Sequence, residues 1–224
     1  KVAEQFRLLD AIAPGRIDLG IGRAPGSDGK AAMALNPNGH FNTQNFPANV
    51  RDLIAWVTNV TLADNHPYKT LKAYPISDTE PEIWMLGSSD YGAQIAAHFG
   101  IPFCFAHFIT EGSGLNHAIH LYRENYQPSE RHPNPILSLC VWALTAETDE
   151  QARSLFKPRA HWKLMRNQGE LAPLIEPAAV NKYPYSDNDK AFINDLCQHA
   201  LIGNPSYVAE ELNSLATNNT IDEI

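Results

Sequence analysis

An arginine follows a short apolar segment and could bind a phosphate. The segment is RIDLGIG, residues 16–22, and Arg23 comes directly after it. If this segment is a strand of a parallel sheet, Arg23 lies at its carboxyl end, where such sheets bind ligands. A guanidinium group there could hold a phosphate through two parallel hydrogen bonds. A structural ion pair, with Asp28 as the candidate partner, is the alternative, and residue types and spacing leave both open.

The glycines of this stretch do not form a dinucleotide-binding fingerprint. Gly20, Gly22 and Gly26 give the pattern G-x-G-x-x-x-G, whereas the fingerprint is G-x-G-x-x-G with a helix beginning inside it. Here Pro25 and a long polar loop follow instead. Glycines in such a strand either allow close packing or leave room for a ligand.

A second stretch, LGSSDYG at residues 86–92, is also suited to an anion. Ser88 and Ser89 follow a predicted strand, and a helix is predicted to begin near Asp90. Hydroxyl groups and the free N–H groups at the start of a helix bind anions. The alternative is that Ser88, Ser89 or Asp90 caps the helix. Two such positions after different strands, one with an arginine, favour a shared phosphate site.

The histidines offer a weaker signal. His107 is predicted to end the third strand, where a structural role and a catalytic role are both possible. His117 and His120 are three residues apart on a predicted helix and could share a face. Because no third ligand is evident, a solvated helix face is favoured and no metal site is predicted. No G-x-S-x-G, P-loop, C-x-x-C or H-E-x-x-H motif is present.

The elements that must position these residues alternate between helix and strand. Helices are predicted over residues 45–60, 90–100, 113–129, 149–169, 186–201 and 204–217. Gly100 is predicted to end one of them, and Asn204 with Pro205 to begin another. The predicted strands are RIDLGIG, PEIWMLGSS, IPFCFAHF, PILSLCVWALTAET and the terminal DEI, which begin at residues 16, 81, 101, 135 and 222. Because they are almost continuously apolar, they are predicted to be parallel and buried on both faces. An open doubly wound sheet and a (β/α)8 barrel both fit this order.

Two loops and one helix face complete the prediction. The long loop from Ala24 to Gln44 and the Pro-rich stretch from Leu171 to Ser186 are candidate lids over a site. The first helix is predicted to bury one apolar face. That face consists of Val2, Phe6, Leu9 and Ile12.

The composition excludes several classes of function. The formal net charge of −8 argues against binding nucleic acid through a basic surface. No apolar run approaches the ~20 residues that span a bilayer, and no signal peptide is evident, so a cytoplasmic protein without membrane contact is expected. The three cysteines are far apart in apolar settings, which suits buried free thiols.

Three segments together resemble the bacterial luciferase-like flavin monooxygenase family. They are residues 4–28, 81–108 and 201–212, and they occur in the family's order. The resemblance implies an α/β fold, a (β/α)8 TIM barrel. Strands four to eight would be represented in residues 1–224, as one partial domain from which the first three strands are missing. Family residues on those strands, including a histidine implicated in catalysis, have no counterpart here.

The resemblance also implies roles for individual residues. Arg23 and Ser89 match family positions that contact the flavin phosphate. Tyr91 and Gly92 match positions that can offer backbone N–H groups to it, and His107 matches a position facing the flavin ring. His107 is therefore the catalytic candidate. Gly22 and Ser88, beside the phosphate-binding positions, complete the predicted cofactor-binding set.

The function that the resemblance implies is oxidation of a small organic substrate, aldehyde-like or amine-like, by reduced FMN and O2. A deazaflavin, F420, replaces FMN in some branches. NAD(P)H supplies the electrons directly or through a separate flavin reductase, and a homodimer is expected. A flavin-binding protein without turnover, and a barrel enzyme acting on a phosphorylated sugar, remain alternatives.

Overall fold

The structure is a computed structural model that describes residues 1–24, 28–37 and 44–224. Pro25 and Gly26, which bear on the glycine pattern, lie outside the described residues, as does part of the candidate lid at residues 24–44. The strands are β1 (Asp18–Ile21), β2 (Glu82–Gly87), β3 (Phe103–Phe105), β4 (Leu137–Leu139), β5 (Ala143–Thr145) and β6 (Leu201–Gly203). The helices are α1 (Val2–Ile12), α2 (Gly29–Leu35), α3 (Phe46–Val57), α4 (Asp90–Phe99), α5 (His107–Thr110), α6 (Leu115–Glu124), α7 (Asp149–Asn167), α8 (Pro177–Val180), α9 (Asp187–His199) and α10 (Pro205–Asn219).

The chain divides into two compact units. The first comprises residues Lys1–Ala106 and Gly114–Ser138, and the second His107–Ser113 and Leu139–Ile224. In the first, a four-stranded sheet has the order β1-β2-β3-β4, and the pairs β1–β2 and β2–β3 are parallel. A doubly wound sheet reverses its strand order at a switch point, whereas consecutive strands of a barrel are neighbours. The sequential order therefore agrees with the barrel alternative.

The prediction that the strands are buried on both faces holds for β4, whose three residues are all buried, but was wrong for β1 and β2. Ile83 and Met85 of β2 are fully buried, whereas Leu86 is 42% exposed. In the first unit, α4 packs on the face that Ile83 and Met85 share, since a Cβ atom at Gly87, on the same side of β2, would lie 3.4 Å from the Cα of Gly92 in α4. The alternation follows because successive side chains of a strand point to opposite faces of the sheet.

Helix α1 buries a polar face, so the predicted apolar face was wrong. Ala3, Arg7 and Asp10 are buried, whereas Val2, Leu9 and Ile12 are exposed. Arg7 Nε donates to the Pro75 carbonyl at 2.6 Å. Asp10 accepts hydrogen bonds from the Gly15 N–H at 3.1 Å and the Thr79 hydroxyl at 2.6 Å. These bonds satisfy the buried polar groups and so permit their burial.

The predicted loop at residues 24–44 contains helix α2. Asp28 is its N-cap, and one carboxylate oxygen accepts from the N–H groups of Lys30 at 2.8 Å and Ala31 at 3.1 Å. The residue that the sequence offers as an ion-pair partner for Arg23 therefore has a helix-capping role.

One strand was predicted over residues 135–148, but this segment forms two short strands. β4 completes the first sheet, and β5 pairs in parallel with β6 in a separate two-stranded sheet, with Leu144 opposite Ile202. The sequence analysis missed β6. The terminal DEI makes a single bridge, in which the Glu223 carbonyl accepts from the Leu139 N–H at 2.9 Å.

Helices α7 and α9 pack together in the second unit. Their shared core contains Phe156, Ala160 and Leu196 with Ile202 of β6. The Pro-rich stretch at residues 171–186 contains the short helix α8 and ends at Ser186, which forms a capping box with Asp189. The predicted helices around residues 90–99, 115–124, 149–167, 187–199 and 205–219 are confirmed.

Two further findings concern membrane-spanning helices and the exposure of the cysteines. Within the described ranges, no helix is long and apolar enough to span a membrane. All three cysteines are thiols and not disulfides, but Cys140 is exposed and the other two are half-buried, so the prediction of buried thiols was wrong.

Candidate functional site

The residues after β1 and β2 come together at one edge of the first sheet. The two strands are parallel, and Ile21 at the end of β1 pairs with Met85 near the end of β2. Arg23 follows one strand within two residues, and Ser88 follows the other. This edge is the carboxyl end of the sheet, where parallel α/β folds bind ligands.

Arg23 is placed by an aromatic contact with helix α4. Its guanidinium carbon lies 4.1 Å from the centre of the Tyr91 ring. Tyr91 in turn contacts Phe46 of α3, with ring centres 6.3 Å apart. Arg23 is exposed. A guanidinium group stacked on an aromatic face keeps its N–H donors free at its edge.

The first turn of α4 leaves backbone donors available. Ser89 is the N-cap residue with extended backbone angles, φ −149° and ψ 167°, and its side chain makes no capping hydrogen bond within the described structure. The Asp90 carboxylate lies 3.4 Å from His117 Nε2, both groups at the surface. The N–H groups at the start of a helix have no intrahelical acceptor and carry partial positive charge. Ser89 therefore does not cap the helix through its side chain, and the anion-binding alternative stays a prediction.

The glycines near this edge pack closely against neighbouring residues. A Cβ atom at Gly20 would lie 2.7 Å from Leu86 Cδ1, and one at Gly22 would lie 3.2 Å from the Leu86 carbonyl oxygen. At Gly92 it would lie 3.4 Å from the Cα of Gly87. The space that a ligand was expected to use beside β1 is therefore filled by β2, and Gly92 lets α4 approach β2 closely. The backbone N–H groups of Gly22 and Gly92 remain part of the proposed set.

His107 was predicted to end the third strand, but it begins helix α5 in the second unit. It is half-buried, and burial lowers its pKa while the Glu111 carboxylate acts in the opposite direction. Its ring lies against Gly112, where a Cβ atom would be 2.6 Å from His107 Nε2. A neutral imidazole follows at pH 7, which suits a hydrogen-bonding or proton-accepting role.

His107 lines a pocket that the sequence analysis missed. The same pocket contains Glu111, Trp142, Arg159 and Lys163. Arg159 lies on the buried face of α7, three residues after Phe156. The signal that could have found it is a charged residue at a position where the helical period of α7 predicts an apolar one.

Across the described ranges, no three His, Cys, Asp or Glu side chains are grouped so that they could hold a metal ion. His117 and His120 are both exposed on α6, as the solvated-face interpretation predicts.

A family model described as luciferase-like monooxygenase matches residues 1–220. The protein YceB of Bacillus subtilis is 37% identical over 214 residues, which cover 95% of this chain and 63% of that protein. A luciferase-like monooxygenase of Escherichia coli is 34% identical over 224 residues, covering 100% of this chain and 65% of the relative. The chain thus spans somewhat less than two thirds of the length of these relatives.

Solved structures match the fold. The crystal structure of apo-MsnO8 superimposes with a TM-score of 0.81 at 27% identity, over 99% of this chain and 64% of that one. The oxygenating constituent of 3,6-diketocamphane monooxygenase from Pseudomonas putida, solved with FMN, matches with a TM-score of 0.59 at 19% identity, over 98% of this chain and 66% of that one. An F420-dependent secondary alcohol dehydrogenase, solved with an F420-acetone adduct, matches with a TM-score of 0.62 at 15% identity, over 99% of this chain and 67% of that one. The chain therefore has a luciferase-like α/β fold that covers part of a TIM-barrel-type structure.

Proposed function

Because this chain belongs to the luciferase-like monooxygenase family, we propose that it is part of a flavin-dependent monooxygenase. In this proposal, Arg23 and the first turn of α4 bind the flavin phosphate. The observation that carries the proposal is the contact of Arg23 with Tyr91, because it holds a cation beside a helix start with no side-chain cap at Ser89.

The residues present fit a phosphate group. Arg23 offers several N–H donors, and the helix start offers backbone donors at Tyr91 and Gly92. The hydroxyl groups of Ser88 and Ser89 follow β2 directly and can donate further hydrogen bonds. Together these groups supply positive charge and donors on one side of a phosphate, which is the arrangement anion sites use.

The chain's own residues bind and orient, while the cofactor brings the redox chemistry. When bound in its reduced form, the flavin would supply two electrons to O2, of which one oxygen atom goes to a small organic substrate and the other to water. Arg23 compensates the phosphate charge at the sheet edge. His107, as a neutral imidazole, would hold or accept a proton from substrate at its ring nitrogen.

We propose FMN as the flavin and F420 as the alternative, since structures with this fold contain one or the other. The segments β1 to β4 then correspond to barrel strands four to seven, and the bridge at Glu223 to the start of strand eight. NAD(P)H would supply the electrons, directly or through a separate reductase. The proposed substrate is a small aldehyde or amine. A homodimer and a cytoplasmic location are further predictions.

Titration of FMN into the full-length protein tests the phosphate assignment. Arg23→Ala is expected to weaken binding by about 1.5–3 kcal/mol, or roughly 10- to 150-fold, because it removes a charge-assisted hydrogen bond. Arg16→Ala is the matched control, since Arg16 is an exposed arginine just before β1, at the opposite end of that strand. Equal FMN affinity for the two variants would remove Arg23 from the site. Tighter binding of F420 than of FMN would select the deazaflavin.

Oxygen uptake separates a monooxygenase from a flavin-binding protein without turnover. The full-length protein with FMN, NAD(P)H and a flavin reductase should consume O2 above the reductase background when an aldehyde or amine substrate is supplied. If the protein binds FMN in the titration but shows no substrate-dependent O2 uptake with any of several aldehydes and amines, a flavin-binding protein without turnover is favoured.

A further inference from the structure

The second unit contains a buried arginine without an anionic partner. Arg159 is 9% exposed, and its Nε atom is buried without a hydrogen-bond partner. Among the described residues, no carboxylate forms an ion pair with it. Burial lowers the pKa of Arg159, but an arginine remains charged at neutral pH. A buried polar group without a partner calls for an explanation, and for a charged donor that lines a pocket a bound anion is one.

Two tryptophans hold the guanidinium group in place. The Arg159 guanidinium carbon lies 4.6 Å from the centre of the Trp142 ring and 5.1 Å from that of Trp162. Such contacts stabilise the cation through the ring faces, but they give the Nε–H no acceptor. The aromatic rings therefore orient Arg159 and leave its hydrogen-bonding capacity for another group.

The other charges of the pocket determine the charge of that group. Lys163 and Glu111 form an ion pair with each other and compensate each other's charge. His107 is neutral at pH 7, because burial lowers its pKa. Glu111 also acts on Arg159 and raises its pKa, but Glu111 is already the ion-pair partner of Lys163, so the pocket contains two cationic side chains and one carboxylate. A single negative charge balances this excess, whereas a doubly charged anion would exceed it.

We propose that Arg159 is the anchor of a binding site for the carboxylate group of a small organic molecule. A carboxylate carries one charge and matches the planar fork of a guanidinium. Trp142 and Leu201 line the same pocket and offer apolar surface to the rest of the molecule. The site lies within the second unit and does not rest on the flavin assignment.

Titration of the full-length protein with acetate tests this site by nuclear magnetic resonance. The indole N–H signals of Trp142 and Trp162, assigned with W142F and W162F, should shift with acetate and saturate. Acetamide has nearly the same shape without the charge and should shift them at least tenfold less at equal concentration. Inorganic phosphate should bind more weakly than acetate. A response to acetamide equal to that to acetate, or tighter binding of phosphate, would overturn the proposal.

Two variants locate the anion on Arg159. Arg159→Gln should weaken acetate binding at least tenfold, whereas Arg159→Lys should retain part of it. Arg166→Gln is the matched control, because Arg166 lies over the same Trp162 ring at 5.5 Å but is exposed and outside the pocket. Equal losses in the Arg159→Gln and Arg166→Gln variants would mean a non-specific salt effect.

The comparison of acetate with acetamide needs no variant and decides the question if Arg159→Gln does not fold. Flavin-free protein is used, so a failed flavin assignment leaves the outcome unaffected.

Discussion

The Tyr185 hydroxyl lies 2.7 Å from Nδ1 of His161 and attaches the Pro-rich stretch at residues 171–186 to helix α7. Burial raises the pKa of Tyr185 and lowers the pKa of His161. Both groups are therefore neutral at pH 7 and share a hydrogen bond whose donor is set by the tautomer of the imidazole. The Tyr183 ring also lies against His161, with ring centres 4.7 Å apart. If the stretch at residues 171–186 acts as a lid, its movement would have to break the contacts of Tyr183 and Tyr185 with His161.

This contact predicts that stability falls in mild acid. The unfolded chain takes up a proton on His161 near pH 6.5, whereas the folded chain does so only at lower pH. Folding stability is therefore independent of this group well above pH 6.5 and declines as the pH falls below 6.5 towards the lowered pKa. Urea unfolding at pH 7.5 and pH 5.0 measures the decline, which His161→Gln should reduce. His120→Gln, at an exposed histidine of α6, should leave it unchanged. An equal decline in both variants would contradict the assignment.

The stacking of Arg23 on Tyr91 predicts a graded effect on FMN binding, provided the flavin proposal holds. Tyr91→Leu removes the aromatic face and should weaken binding by about two- to fivefold, the size of an exposed cation–π contact of about 0.5–1 kcal/mol. Tyr91→Phe keeps the ring and should bind FMN as the natural protein does. Quenching of FMN fluorescence measures both affinities. A loss in the Phe variant as large as in the Leu variant would assign the effect to the hydroxyl group instead.

Two glycines with left-handed backbone angles predict different costs of substitution. Gly15 has φ +67° with nothing near its missing Cβ, so Gly15→Ala should cost about 1–2 kcal/mol from backbone strain alone. Gly100 has φ +58°, and its Cβ would meet the Gln127 carbonyl oxygen and the Ser129 backbone. Gly100→Ala adds a steric clash and should cost about 3 kcal/mol or more. Chemical denaturation measures both, and equal losses would argue that the Gln127 segment shifts freely.

The local features of the chain could be predicted because they depend on neighbouring residues. Gly100 ends α4 in a left-handed conformation, and Asn204 caps α10 by accepting from the Tyr207 N–H at 3.0 Å. The sequence signals for both were a glycine after an apolar helix and an Asn-Pro pair before one. The order of helices and strands followed from the same kind of signal.

The errors occurred where distant residues decide the outcome. The sequence of α1 does not indicate that Arg7 and Asp10 are buried, because Arg7 binds Pro75 and Asp10 binds Thr79 as well as the nearby Gly15, and Pro75 and Thr79 are more than sixty residues away. The apolar run at residues 135–148 gave no sign that β5 pairs with β6 rather than continuing β4. The packing role of Gly20 likewise depends on Leu86 of the neighbouring strand.

The sequence by itself determined the family, the alternation of helices and strands, and the placement of Arg23, Ser88 and Ser89 directly after strands. These properties rest on local periodicity, capping and chain order. Only the tertiary structure decided that Arg23 lies on Tyr91, that Ser89 makes no capping hydrogen bond, and that Arg159 is buried beside Trp142 without an anionic partner. Burial, charge compensation and ring contacts join residues that are far apart along the chain, so they exist only once the sheet and helices have packed.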